Sequence, residues 1–349
     1  MNRIFISGLI PGNGGVPRFL EYLKDNNFSL ITPKKDNSFF EKILYRITFL
    51  IKILFCRIDK TYVIIHHQTI PFLVLLKLLL MHKVEYFAID NSYFCISSYN
   101  YNPNIDFQNP CRNCLKMTQP EKSCDVFPSK RKKIIEILLL KILRRRLSSS
   151  KAKIYTLSES STRLVKESIP GCGEVKTIGF TTNELTELFN YVRSNQSKNN
   201  KIVFHGHCLP SKGYEYMIKL AKELPNFEFI FPTEGINYDN VRYIPCSWDT
   251  GLKELVEQAL FVAVPSIWDN TPEAASLKAM LMKVPILFIP SEFSFEHEAS
   301  SHYGISLTGV TLDDVALINK GTIHNDHLKS RDLSIKFLKE SEVRLSNLK

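Results

Sequence analysis

No stretch of this chain is long and apolar enough to be expected to cross a bilayer. The longest strongly apolar run without charge, Thr61–Leu76, falls short of the roughly 20 residues a hydrocarbon core demands. It also carries two His, a Gln and a Pro. Heptads are missing, and Gly (14) and Pro (17) are modest for 349 residues, which excludes coiled-coil, collagen-like and disordered classes. No cleavable leader is expected: the apolar run Ile4–Ile10 leads into Pro11-Gly-Asn-Gly-Gly15, a turn. The expected location is therefore cytoplasmic. Nucleic acid is not an expected partner, because neither a recognition motif nor aromatic–basic interleaving accompanies the charge.

What is present describes a globular chain, 44% apolar and 23% charged, long enough for two domains. Its charge is uneven. Residues 1–170 hold 27 Lys+Arg against 13 Asp+Glu, and the remainder holds 18 against 22, so the whole excess of +10 lies in the first half. A basic half points to an anionic partner, such as lipid headgroups or a phosphorylated substrate. Lys130–Arg146, with eight basic residues and one acid around an apolar run, reads as a helix suited to an anionic membrane surface; Phe39–Arg57 is a weaker second case. The plain alternative is that the apolar residues are core and only the Lys and Arg are solvated.

Strands and helices alternate along the chain. In the first half Arg3–Ser7, Tyr62–His66, Val84–Ile89, Lys153–Leu157 and Lys176–Ile178 read as strands, with helices near Pro17 and over Phe72–Met81. Residues 185–200 turn polar and read as a linker. The pattern restarts with strands at Lys201–His205, Phe227–Phe231, Asn240–Ile244, Phe261–Val264 and Pro285–Ile289, and helices at Gly213–Glu223, Gly251–Gln258 and Pro272–Leu281. The fold class is α/β, two Rossmann-like domains facing across a cleft: residues 1–182, 201–325, and a helical segment 326–349 packing back toward the first domain. Ligands are expected at the C-terminal ends of strands.

Several residues stand where such a fold does chemistry. Lys212 and Gly213 lie between a strand end and a helix start, where amides and the helix dipole favour an anion. Gly12, Gly14 and Gly15 follow the first strand, where glycine lets backbone approach a ligand. His66, His67 and Asp90 end strands of the first half, while Glu273 and Lys278 share a helix. Cys95, Cys111, Cys114 and Cys124, among eight Cys, have a spacing that can present four thiolates to a structural zinc, or leave plain loop thiols.

Taken in order, Phe204-His-Gly-His-Cys-Leu-Pro-Ser-Lys-Gly213, Val262-Ala-Val-Pro-Ser266, the segment from Trp268 to Pro285, and Phe295-Glu-His-Glu298 resemble glycosyltransferase family 4. So do Gly14-Gly-Val-Pro-Arg18 and Thr156-Leu-Ser-Glu-Ser160 in the first half. The resemblance implies a GT-B fold and retaining transfer from a nucleotide-diphosphate sugar, with no cofactor needed for catalysis. It departs from the family at several positions. Asn270 and Lys278 stand where the family has a pair of glutamates, His207 replaces an Arg, Lys283 a Gly, and Ile89 the His before Asp90. The segment looks more like a divergent bacterial branch acting on surface polysaccharides. The implied donor contacts are Gly14, Gly15, His207, Lys212, Gly213, Asn270 and Lys278. His67, Asp90 and Glu273 are the implied catalytic positions, and the acceptor a lipid-linked saccharide at the inner face of the cytoplasmic membrane. The alternatives are a catalytically silent GT-B subunit and a GT-B nucleotide-sugar epimerase.

Overall fold

The computed structural model describes residues 3–12, 14–33, 47–48, 51, 59–102, 110–112, 114–115, 130–192, 199–269, 272–294, 304–320 and 327–349. The chain forms two compact units. One comprises Met1–Asn100, Cys111–Asn183 and Lys339–Lys349, the other Tyr101–Pro110 and Glu184–Leu338.

In the first unit the elements are β1 (Arg3–Ile6), α1 (Gly15–Asp25), β2 (Leu30–Ile31), β3 (Thr61–Ile65), α2 (Phe72–Met81), β4 (Lys83–Ala88), α3 (Lys130–Leu147), β5 (Lys153–Thr156), α4 (Glu159–Ser168) and β6 (Glu174–Thr177). The strands make a six-stranded sheet in the order β2-β1-β3-β4-β5-β6, with every pairing parallel. Every residue of β3 is buried, which is why its sequence is apolar and β-branched instead of alternating. α1 turns Phe19, Leu20 and Leu23 onto this sheet, and Phe19 meets Phe87 with ring centroids 5.3 Å apart. One buried charge is compensated inside the sheet: Glu85 accepts from Arg3 Nε and Tyr155 OH, both at 2.7 Å.

The main segment of the second unit starts at Glu184, within α5 (Asn183–Glu187). It continues with β7 (Lys201–Phe204), α6 (Tyr214–Glu223), β8 (Glu228–Phe231), β9 (Val241–Tyr243), α7 (Leu252–Gln258), β10 (Phe261–Ala263), α8 (Ala274–Leu281), β11 (Ile286–Phe288), β12 (Gly304–Ser306), α9 (Thr311–Lys320) and α10 (His327–Ser346). Its parallel sheet runs β12-β11-β10-β7-β8-β9. Tyr216, Met217, Leu220 and Ala221 form the apolar stripe of α6 and pack on Phe204, Phe229 and Phe231. From Lys339 on, α10 belongs to the first unit. There the Ser341 hydroxyl accepts from the Phe180 amide at 3.2 Å, and Gly179 (φ 95°) leaves the room that Ser341 fills.

Each sheet reverses its strand order once, between β1 and β3 in the first unit and between β7 and β10 in the second. At such a point the two strand-end loops diverge to opposite faces and leave a crevice between them. Both groups of candidate residues lie at these two points.

Candidate active site

In the second unit the loops after β7 and β10 are bound to each other. Ile267 N donates to Ser211 O at 2.8 Å, and Gly213 lies against Pro265 so closely that a Cβ would overlap its carbonyl oxygen. Gly213 also has φ 74°, the left-handed region. Close packing thus requires this glycine, and it fixes the direction of the turn Pro210–Lys212 that delivers Lys212. The Lys212 ammonium pairs with Glu273 and lies 4.8 Å from the Trp268 ring centroid. Glu273 also accepts from Ser266 Oγ at 2.7 Å. Burial pulls the Glu273 carboxyl upward, but Lys212 and the hydrogen bonds outweigh it and hold it below the usual carboxylate range.

A second cage stands beside this one. Lys278 is 5% exposed, pairs with Glu184 and places its ammonium 4.0 Å from the centroid of Trp248. Trp248 stacks on His205 with centroids 5.5 Å apart and planes 4° from parallel. Burial, with Lys278 adding to it, pushes His205 down to about 3, so its ring is neutral. The chain's two tryptophans therefore each face a lysine that is paired with a glutamate.

In the first unit Gly8 packs on Thr69 without room for a Cβ, and its amide donates to Thr69 Oγ1 at 3.1 Å. The loops after β1 and β3 are thereby joined. His66 sits at φ 52°, a costly conformation for a residue with a Cβ, and its Nε2 lies 3.0 Å from Asp90 Oδ2. Asp90 Oδ1 accepts from the Ser92 amide at 3.0 Å. Burial opposes charge on both partners, yet their mutual attraction raises His66 and lowers Asp90. Gly14 takes φ 109° at the start of α1, and around Gly15 a Cβ would meet nothing within 4 Å.

Several expectations change on this geometry. His67, an implied catalytic position, is sealed in the interior. It is 1% exposed, its Nδ1 lies 3.0 Å from Tyr86 OH, and burial pushes it down to about 4; His66 makes the ion pair. Lys278 is not solvated but buried and paired with Glu184. Glu273 is not in the first turn of its helix but at its extended N-cap position, turned to Lys212. His207 lies exposed on the loop before Lys212. Asn270, Cys124 and Phe295–Glu298 lie outside the described residues. Cys95 Sγ is 3.1 Å from Ser97 Oγ, and among the described residues, which omit Cys124, no three His, Cys, Asp or Glu side chains assemble as a metal-binding group. Glu184, His205 and Trp248 were not legible as site residues. The one signal was Lys278 itself, a lysine between apolar neighbours in a helix, which needs a buried counter-ion.

No family model matches the chain, and no curated protein matches it. Solved structures do. Anabaena HepE in complex with UDP-glucose aligns over 99% of this chain and 98% of its own at TM-score 0.63 and 10% identity. Sucrose-phosphate synthase from Thermosynechococcus elongatus aligns over 98% and 94% at 0.62 and 11%, and the trehalose-6-phosphate synthase OtsA over 100% and 99% at 0.58 and 9%. At such identities the likeness is one of fold. This chain has the two-domain α/β architecture called GT-B.

Proposed function

We propose that the chain is a glycosyltransferase that takes its sugar from a nucleotide-diphosphate donor held by the second unit. The observation that carries this reading is Lys212, delivered beside the N-terminus of α6 at the β7/β10 switch point, in a fold whose solved examples include one with UDP-glucose bound. Backbone amides there, the Lys212 ammonium and the exposed His207 form the set that stabilises a departing diphosphate. On this reading the His66–Asp90 pair of the first unit holds a hydroxyl group of the acceptor.

The finer reading is a family 4 enzyme of the divergent branch, acting with retention on a lipid-linked saccharide during surface polysaccharide assembly at the cytoplasmic face of a membrane. Two packed helices of the first unit support the membrane part. On α2 Leu73, Lys77 and Leu80 share a stripe, with Leu73 74% and Leu80 69% exposed. On α3 Ile134, Leu138, Lys141 and Arg145 do the same. Exposed apolar side chains interspersed with cations suit an anionic lipid interface. No helix among the described residues is long and apolar enough to span a bilayer.

A silent GT-B subunit is favoured by one observation, that Lys212 and Lys278 are each neutralised by a glutamate. A panel of nucleotide sugars separates the readings. The enzyme reading expects one donor to raise the melting temperature and to release nucleoside diphosphate when membrane extract supplies an acceptor. Stabilisation without release favours the silent subunit, and no stabilisation by any donor contradicts both.

A further inference from the structure

We propose that Glu273 is a built-in competitor for the donor's diphosphate, a specificity residue that occupies Lys212 until a stronger anion takes the ammonium from it. The inference rests on reading Lys212 as the diphosphate ligand. Lys212 and Glu273 are 61 residues apart and come from different elements, the turn after β7 and the N-cap position of α8. Their side chains are only 11% and 13% exposed. A buried ammonium cannot stand alone in an empty site, because an unpaired charge there is strongly unfavourable. A carboxylate that rests on it when no ligand is bound meets that requirement.

The same carboxylate then opposes any incoming anion. A phosphate oxygen within hydrogen-bond reach of Lys212 Nζ has Glu273 on the other side of the same ammonium, and the two negative charges repel. The carboxylate has other partners to fall back on. Ser266 Oγ already donates to it at 2.7 Å, and Glu273 occupies the N-cap position of α8 without making a side-chain cap. Turned from Lys212, it lies beside the first amides of that helix, which favour an anion. Diphosphate entry is on this account an exchange of anions on Lys212. Ligands with one weak negative group do not complete the exchange, and a diphosphate gripped by amides and ammonium together does.

Calorimetric titration of the full chain with inorganic pyrophosphate, UDP and GDP tests this, with uridine as a probe that carries no phosphate. Glu273→Gln should bind pyrophosphate and at least one of the two nucleotides about tenfold more tightly than the unaltered protein, as removal of a competing ion pair implies. Uridine should bind both alike. Glu273→Ala should move affinity in the same direction, and unliganded melting curves establish that each variant is folded. Unchanged or weaker phosphate binding by folded Glu273→Gln and Glu273→Ala overturns the proposal and makes Glu273 a positioning residue for Lys212. A Lys212→Ala variant that binds these phosphates as tightly as the unaltered chain overturns the donor-site reading beneath it. Absence of binding by every form does the same.

Discussion

His66 and His67 are adjacent in sequence, and their surroundings shift them in opposite directions. Paired with Asp90, His66 favours its charged form; sealed against Tyr86 and Ser92, His67 resists it. The unfolded value of either is about 6.5, so His67, at about 4 when folded, binds fewer protons in the folded chain across that interval. Its contribution is present above pH 6.5 and is lost as pH falls toward 4, at most about 3 kcal/mol. His205 adds a loss of the same sign, while His66 opposes both: its stabilisation is complete below 6.5 and lost as pH rises through its raised value. Melting temperature should therefore fall from pH 6.5 to 4, and His67→Gln should flatten that slope. An unchanged slope would place the acid sensitivity elsewhere. Lys283 offers a separate check. It ends α8 at φ 57°, with Lys283 N donating to Met280 O and Val284 N to Ala279 O, the helix stop that glycine normally serves. Lys283→Gly should stabilise the chain by about 1 kcal/mol in urea unfolding.

Among the elements, α2 and α3 carry the membrane proposal, and the arginines of α3 divide into two kinds. Arg144 donates to Cys114 O and Leu115 O at 3.2 Å and to Ser168 O, and Arg146 reaches His82 O at 3.4 Å. Reversing the charge of Arg144, which holds three carbonyl oxygens, would disturb the fold. Lys141 and Arg145 point outward, so they and the apolar stripe are the informative positions. The double variant Leu73→Ser, Leu80→Ser should lose most co-sedimentation with vesicles of phosphatidylglycerol while keeping its melting temperature; undiminished binding would remove these helices from the interface. The strands read from the sequence agree with the structure to within two residues at each end, because parallel strands buried on both faces announce themselves as short apolar β-branched runs. The short β2 (Leu30–Ile31) and β12 (Gly304–Ser306) were not read, the first because it is only two residues long and the second because it opens on a glycine and ends on a serine. The expected helix over Pro272–Leu281 begins at Ala274, because Glu273 is held extended by its contacts to Lys212 and Ser266. That pairing joins residues far apart in the chain and no local pattern announces it. Gly213 was legible as a turn but not as the residue that fits against Pro265.

For the whole molecule, two switch points and an uneven charge underlie the proposed function. The first half carries the basic excess and the His66–Asp90 pair, and the second carries the two lysine cages at β7/β10. Fold class was legible because alternation of strand and helix is a property of the entire sequence. The site was only partly legible, because its charges are satisfied by partners that the topology brings together. The central claim is that a nucleotide sugar seats its diphosphate at the start of α6. Hydrogen–deuterium exchange, with and without the donor that stabilises the protein in the panel, tests it most directly. Protection is expected over residues 206–216 and 264–277 of the second unit; slowing confined to other segments, or absent from both of these, would contradict the account.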